Sequence, residues 1–173
     1  PDTSCMYDCL IDMVEAHMDA LAAGDASSLP LAADVMFTEN NVPLEIGTGT
    51  WRTVQEADEN GLVVADETTG HAAWFGSVRE NGEAAFYAVR VHVEAGLIDE
   101  IESVVHRRTA LPAPYGDWEN MVHFPEFVEV LPEEERRPRE RMLAIADAYF
   151  STVEMNDGEV FAPFAEDCGR LEN

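Results

Sequence analysis

Positive charge is what this chain has least of. Ten basic residues stand against 35 acids, a net charge of -25 over 173 residues. A nucleic-acid partner needs a basic surface to neutralise phosphate, so that class is excluded. An anionic membrane surface is disfavoured for the same reason. Long apolar runs are missing too: none approaches the roughly 18 residues of a membrane span. Cysteine is scarce, with only Cys5, Cys9 and Cys168. No second Cys or His pair stands at ligand spacing, so no metal site is assigned. The cysteines leave two readings. They are thiols, or Cys168 forms a disulfide with Cys5 or Cys9, which would favour a secreted or periplasmic setting over the cytoplasm. Also absent are a Gly-x-Ser-x-Gly elbow, a phosphate loop and a dinucleotide fingerprint. Nucleophilic hydrolysis, nucleotide-dependent chemistry and hydride transfer are therefore disfavoured. A reaction without a cofactor is the enzymatic option that remains.

What is present is enough to fold. Hydrophobic residues make up 46% of the chain, which supports a real core. The chain opens on Pro1 rather than Met, compatible with a processed mature protein. Internal similarity is the strongest signal. Leu10–Asn40 resembles Met142–Asn173: Ala16 matches Ala148, Asp25 matches Asp157, Pro30 matches Pro163, Asp34 matches Asp167, and Glu39-Asn40 match Glu172-Asn173. The first copy continues into strand-like sequence for about a hundred residues, while the second stops at Asn173. The expectation is a piece of a two-copy protein, or a chain that completes itself by association.

Periodicity places the elements. Met6–Ala23 reads as an amphipathic helix with Leu10, Met13, Val14, His17, Met18 and Leu21 on one side, ended by Gly24. Asp25 or Ser27 caps a short turn before Pro30. Val35–Asn40 reads as a strand, Pro43–Thr53 as a turn and a short extended piece, and Thr53–Gly61 as a polar helix or loop. Asn81-Gly82 and Ala95-Gly96 carry hairpin-turn chemistry. They divide the next stretch into three strands, Ala72–Glu80, Glu83–Glu94 and Leu97–Arg107. Counting outward from each turn puts Trp74, Tyr87, Val89, Glu102 and His106 on one apolar face. The opposite face is mixed, with Phe75, Phe86 and Ile101 among arginine and histidine. A proline-rich connector follows. Its Tyr115, Trp118, Phe124 and Phe127 are expected to pack on the first domain. Arg139–Met155 reads as a second amphipathic helix, with Ile145, Tyr149 and Phe150 on its apolar side.

Three segments carry a resemblance: Ala23-Gly24-Asp25, Ala33-Asp34-Val35-Met36-Phe37, and Glu94-Ala95-Gly96-Leu97-Ile98. With the helix before them and the meander after, they resemble the SnoaL-like branch of the nuclear-transport-factor-2-like superfamily. Cys5–Leu10, Phe37–Asn40 and Arg170–Asn173 further resemble segments of larger proteins built from two such copies. The resemblance implies an α+β cone, in which a curved antiparallel sheet wraps around N-terminal helices and encloses a pocket, followed by the start of a second such unit. The corresponding division is a cone domain over 1–108, a packed connector over 109–138, and an incomplete second copy over 139–173. The resemblance also implies homo-oligomers formed through the sheet.

Candidate chemistry follows from the face assignment. Trp74, Val89 and Glu102 are expected in one cross-strand row, with Tyr87 and His106 in the next two. A carboxyl on an apolar face is pushed toward its neutral form and can act as an acid or base near neutrality. Glu102 and His106 are thus the expected catalytic pair, against the alternative that Glu102 pairs with an arginine and His106 lies at the sheet edge. Trp74, Tyr87, His17, Trp51, Glu39 and Asn40 are the expected substrate-binding set. Each also has a structural reading. His17 suits a core histidine, Trp51 a plug in the cone, and Glu39-Asn40 a fold element, because they recur. His71 and His92 face each other, too few for a metal.

Two functions stay open. One is a cofactor-independent lyase or isomerase moving a proton on a small, largely apolar molecule. The other is a non-catalytic ligand-binding or assembly module using the sheet face. An open pocket with Glu102 beside Trp74 would favour the first, and a cone plugged by Trp51, Tyr87 and Trp74 the second.

Overall fold

The computed structural model describes residues 5–108, 121–166 and 168. The chain divides into two compact units, 1–127 and 128–173.

In the first unit, α1 spans Tyr7–Ala23 and buries Leu10, Val14, His17, Met18, Ala20 and Leu21. Those positions recur at three- and four-residue steps, so they form one stripe. Met6 at the helix start offers no side-chain cap. A Cys5–Cys9 disulfide closes that first turn instead. Neither open reading of the three cysteines holds as stated: Cys5 and Cys9, one helical turn apart, bond each other, and Cys168 is an exposed thiol. Gly24 ends the helix at φ 65°, with its N–H turned to the Ala20 and Leu21 carbonyls. Asp25 then accepts the Ser27 N–H at 2.9 Å, capping a 3-10 turn over Ala26–Ser28.

Seven strands follow: β1 Leu31–Glu39, β2 Val42–Leu44, β3 Val54–Ala57, β4 Leu62–Asp66, β5 His71–Glu80, β6 Glu83–Glu94 and β7 Leu97–Arg107. They form one curved sheet in the order β2-β1-β7-β6-β5-β3, with β4 also on β5. The sheet packs around α1, which touches β3, β4, β5 and β6. The α+β cone is present, with one change: the sheet is mixed, because β1 runs parallel to β7. Both hairpins sit where expected, with Asn81-Gly82 at φ 51° and 84° and Ala95-Gly96 at 52° and 77°. Left-handed backbone at both central positions is what a two-residue turn between twisted strands requires. Other expectations shift. β1 starts four residues early, at Leu31. Gly49–Arg52 winds into a 3-10 turn, and β3 occupies part of the stretch read as polar helix or loop.

The largest correction lies in β7. Counting from the turn, Glu94 pairs with Leu97 and Val93 with Ile98, but His92 then pairs with Glu100. Asp99 is a one-residue β-bulge. A bulge shifts the register by one, and side-chain period two turns that shift into an exchange of faces. Ile98, Ile101, Ser103 and Val105 therefore point inward and are buried, while Glu100, Glu102, Val104 and His106 point outward.

In the second unit, α2 spans Arg139–Met155, as expected. None of its residues is buried. Asn156 caps it at φ 44°, and Asp157 accepts the Glu159 N–H at 3.0 Å. The same left-handed cap and Asp-to-i+2 bond close α1. Tyr149 meets Phe164 edge-on at 6.2 Å. Tyr115, Trp118, Asp167, Glu172 and Asn173, singled out above, lie outside the described residues.

Candidate functional site

Four elements bring a polar cluster into the cone. The inner stripe of α1 carries His17, and the 3-10 turn carries Thr50 and Trp51. His17 and Trp51 are 0% and 1% exposed, with their rings edge-to-face at 5.1 Å. Tyr87 enters from the inner face of β6 and is also 1% exposed. Its ring lies 6.3 Å from that of Trp74. The Trp74 indole lies over Gly61 and Gly76, where any side chain would collide with it. Ser103 faces inward from β7 and is fully buried.

Glu39 anchors this end. Its Oε2 accepts the Thr50 N–H at 2.8 Å and the Thr50 hydroxyl at 2.7 Å. Gly49 makes that approach possible, because a Cβ there would stand 2.6 Å from the same oxygen. Asn40, at φ 49°, donates to the Val105 carbonyl at 3.2 Å and accepts the Val105 N–H at 2.9 Å. That reciprocal pair extends the β1–β7 ladder, so Asn40 is a strand clasp.

The cluster is under-satisfied. His17 Nδ1, His17 Nε2, Trp51 Nε1 and the Tyr87 hydroxyl are buried with no hydrogen-bond partner. The hydroxyls of Ser103 and Thr50 are near enough to favour the phenolate slightly, but neither completes a well-formed bond to Tyr87. Burial dominates and pushes the phenol up to about 12, with the Glu39 charge adding to the rise. Burial likewise pushes His17 down to about 4. At neutral pH, then, Tyr87 is a hydroxyl donor and His17 an uncharged imidazole with one donor and one acceptor nitrogen. A buried polar group left unsatisfied costs about 1–3 kcal/mol, so these four atoms are where a bound water or a ligand would gain partners.

The sequence-derived residues divide accordingly. His17, Trp51, Tyr87, Trp74 and Glu39 all belong to the interior of the cone. Glu102 and His106 do not. The row expected as Trp74, Val89 and Glu102 is Trp74, Val89 and Ser103. Glu102 lies on the outer face, bonded to Arg90 at 3.1 Å, and Glu100 shares that guanidinium at 2.8 Å. His106 lies on the same outer face, opposite Phe86. The Asp99 bulge is the physical reason for both placements. On that face His92 Nδ1 lies 2.6 Å from the bulged Asp99, and the His71 ring is 4.7 Å from that of His92. Sequence reasoning missed Thr50 and Ser103. Ser103 becomes visible once the apolar phase is followed from Ile98 to Ile101 to Val105. A cleft of about 410 Å³ outside the cone is lined by Asp58, Asn60 and Ser77 and involves none of the expected residues.

A domain of unknown function, DUF8021, matches residues 135–173. No curated protein matches the chain. Similar solved structures include an NTF2-like protein of unknown function from Cytophaga hutchinsonii. It is 14% identical, covers 54% of this chain and 87% of that one, and has a TM-score of 0.41. A candidate ketosteroid isomerase from Kribbella flavida is 17% identical, with 76% and 96% covered and a TM-score of 0.42. AusH from Aspergillus nidulans is 10% identical, with 61% and 88% covered and a TM-score of 0.48. The architecture described above is one helix held against a curved, mixed sheet in which β1 runs parallel beside β7.

Proposed function

We propose that the first unit is a small-molecule-binding module whose ligand lies in the cone, against His17, Trp51 and Tyr87. The observation that carries this reading is the set of four unpartnered buried polar atoms on those three side chains. Val89, Val91 and Ile101 are buried on the same inner face as Tyr87, an apolar setting that suits a compact molecule with few polar groups. Catalysis is not required of such a site. Glu102 and His106 face away from it, and an imidazole held near 4 is a weak base at neutral pH. Native mass spectrometry of gently purified protein tests the proposal. A small molecule should co-purify and be lost in Tyr87→Phe and His17→Leu. Ligand-free wild type, with bulk water held at the cluster in NMR water-exchange spectra, would count against it.

A second reading, cofactor-independent proton transfer of the lyase or isomerase kind, is favoured by one feature. Tyr87 and His17 are a donor and an acceptor without other partners, so they could relay a proton across one bound carbonyl compound. Deuterium wash-in at the α-carbon of cyclohexanone, followed by NMR, separates the readings. Exchange above the buffer rate that disappears in His17→Leu supports proton transfer; binding without exchange supports the module. Assembly through the outer face, where Val64, Phe75 and Val104 are exposed, is compatible with either.

A further inference from the structure

We infer that the cleft outside the cone, at the turn between β3 and β4, binds a small aliphatic ammonium ion. Asp58 and Glu59 take its charge, and Asn60 and Ser77 accept further N–H bonds. The inference is independent of what the cone holds.

The turn is anchored on β5. The Asp58 N–H donates to the Ser77 carbonyl at 2.9 Å, where β3 leaves that strand. Asp58 Oδ1 then accepts the Asn60 N–H at 2.8 Å and the Asn60 side-chain amide at 3.2 Å. Together with Glu59 these residues line the cleft of about 410 Å³. Acids alone would not mark a site on a chain of net charge -25. Ser77 is what marks it. It stands on the outer face of β5 opposite Phe86, is 5% exposed, and its hydroxyl has no hydrogen-bond partner. A buried hydroxyl left without a partner is unfavourable, so a polar group entering the cleft gains a bond there.

Charge and hydrogen-bonding capacity then define what is accepted. The cation among the described lining residues is Arg79. Its Nη1 donates to the Gly82 carbonyl at 3.0 Å and its Nε stands 4.0 Å from Glu56, so the β5–β6 turn and Glu56 hold it. Glu56, Asp58 and Glu59 against that one arginine leave the lining with an excess of negative charge. The functions left over are acceptors: Asp58 Oδ2, the Glu59 carboxylate, the Asn60 side-chain oxygen and the Ser77 oxygen. An ammonium group has three donors and no acceptor, so it matches them. Among the described residues no group of three or more acids, histidines and cysteines converges as a metal ion demands. A cation that spreads its contacts over several N–H bonds suits such dispersed oxygens better. Ala84 and Met121 add an apolar side to the cleft, which suits a short run of methylenes. The strongly acidic chain draws cations toward it from a distance.

n-Butylammonium, 1-butanol and butyrate share a carbon chain and are positive, neutral and negative at pH 7, so they are the probes. The readout is the backbone amide resonances of Asn60 and Ser77, followed by NMR at fixed ionic strength. Butylammonium should shift both saturably, butanol should bind about tenfold more weakly, and butyrate should not bind. Asp58→Asn, which keeps an oxygen for the Asn60 N–H, should weaken butylammonium about threefold, and adding Glu59→Gln about tenfold in all. Butanol binding wild type as tightly as butylammonium would overturn the inference without need of any variant. Shifts spread over the acidic side of α1 rather than focused on Asn60 and Ser77 would show diffuse ion attraction and overturn the site. Unchanged affinity in a folded Asp58→Asn/Glu59→Gln protein would overturn the assigned residues, and no shift with butylammonium would overturn the whole.

Discussion

His17→Leu should make the protein more stable, and increasingly so as the solution is acidified. The wild-type imidazole is fully buried, uncharged and without partners on either nitrogen. Leucine has a similar volume, suits the helix and leaves nothing to satisfy. Removing two orphaned polar atoms should yield at least about 1 kcal/mol at neutral pH. The acid term has a definite sign. The unfolded histidine takes up its proton near 6.5, but the folded one only near 4. Below 6.5 the unfolded chain thus binds more protons, and wild-type stability falls with pH until about 4, where the loss levels off. That depression is worth about 3 kcal/mol in total, at roughly 1.4 kcal/mol per tenfold change in proton affinity. The leucine variant has no such window. Other groups contribute equally to both proteins and cancel in the difference. Urea unfolding at pH 7.5, 6, 5 and 4, followed by tryptophan fluorescence, measures it. Stability curves of wild type and variant that run parallel through this window would refute a buried, uncharged His17. With both proteins stripped of any bound ligand, a variant less stable than wild type at pH 7.5 would refute the orphaned nitrogens.

Deleting Asp99 should leave the first unit folded, because Val93–Ile98 and His92–Glu100 then become consecutive pairs and Glu100, Glu102 and His106 stay on the outer face; loss of the near-UV circular dichroism signal would refute that register. Glu80→Ala should cost about 1–3 kcal/mol in urea unfolding, since buried Glu80 receives Thr53 at 2.6 Å and two bonds from Arg107. Those Arg107 bonds hold the Glu80 carboxyl below its ordinary range. Its stabilisation is therefore present above that range and lost as pH falls beneath it. Reducing the Cys5–Cys9 bridge, which closes a loop of only five residues, should cost about 2 kcal/mol in thermal unfolding with and without reductant; no change in Tm would show that the first turn of α1 holds without it.

How much of this could be read from the sequence depends on how local the determinant is. The three long strands were legible to within a residue, because Asn81-Gly82 and Ala95-Gly96 state their own turn geometry. Helices α1 and α2 were legible from the apolar period, and the end of α1 also from Gly24. The Asp99 bulge was not, because counting outward from a turn assumes an unbroken ladder. Only the three-residue step from Ile98 to Ile101 betrays it, and that one step moved Glu102 and His106 out of the candidate site. Strands β3 and β4 escaped notice because short, partly exposed segments carry little alternation. The parallel contact of β1 with β7 has no turn to announce it. His17, Trp51 and Tyr87 were named as ligand contacts from face and residue type, but their lack of partners is a property of the packed interior and appears only in three dimensions.

The Asn40–Val105 clasp joins residues 65 positions apart. A ribosome adding about 5–20 residues each second needs roughly 3–13 s to travel that distance. Through that interval α1 and β1 exist without the strands that will cover Leu10, Val14 and Leu21. The segment from α1 to β1 must therefore stay soluble during synthesis before its fold is available to it. The acids at Asp8, Asp12, Glu15 and Asp19, spaced along the exposed side of α1, give the nascent segment the self-repulsion to do so.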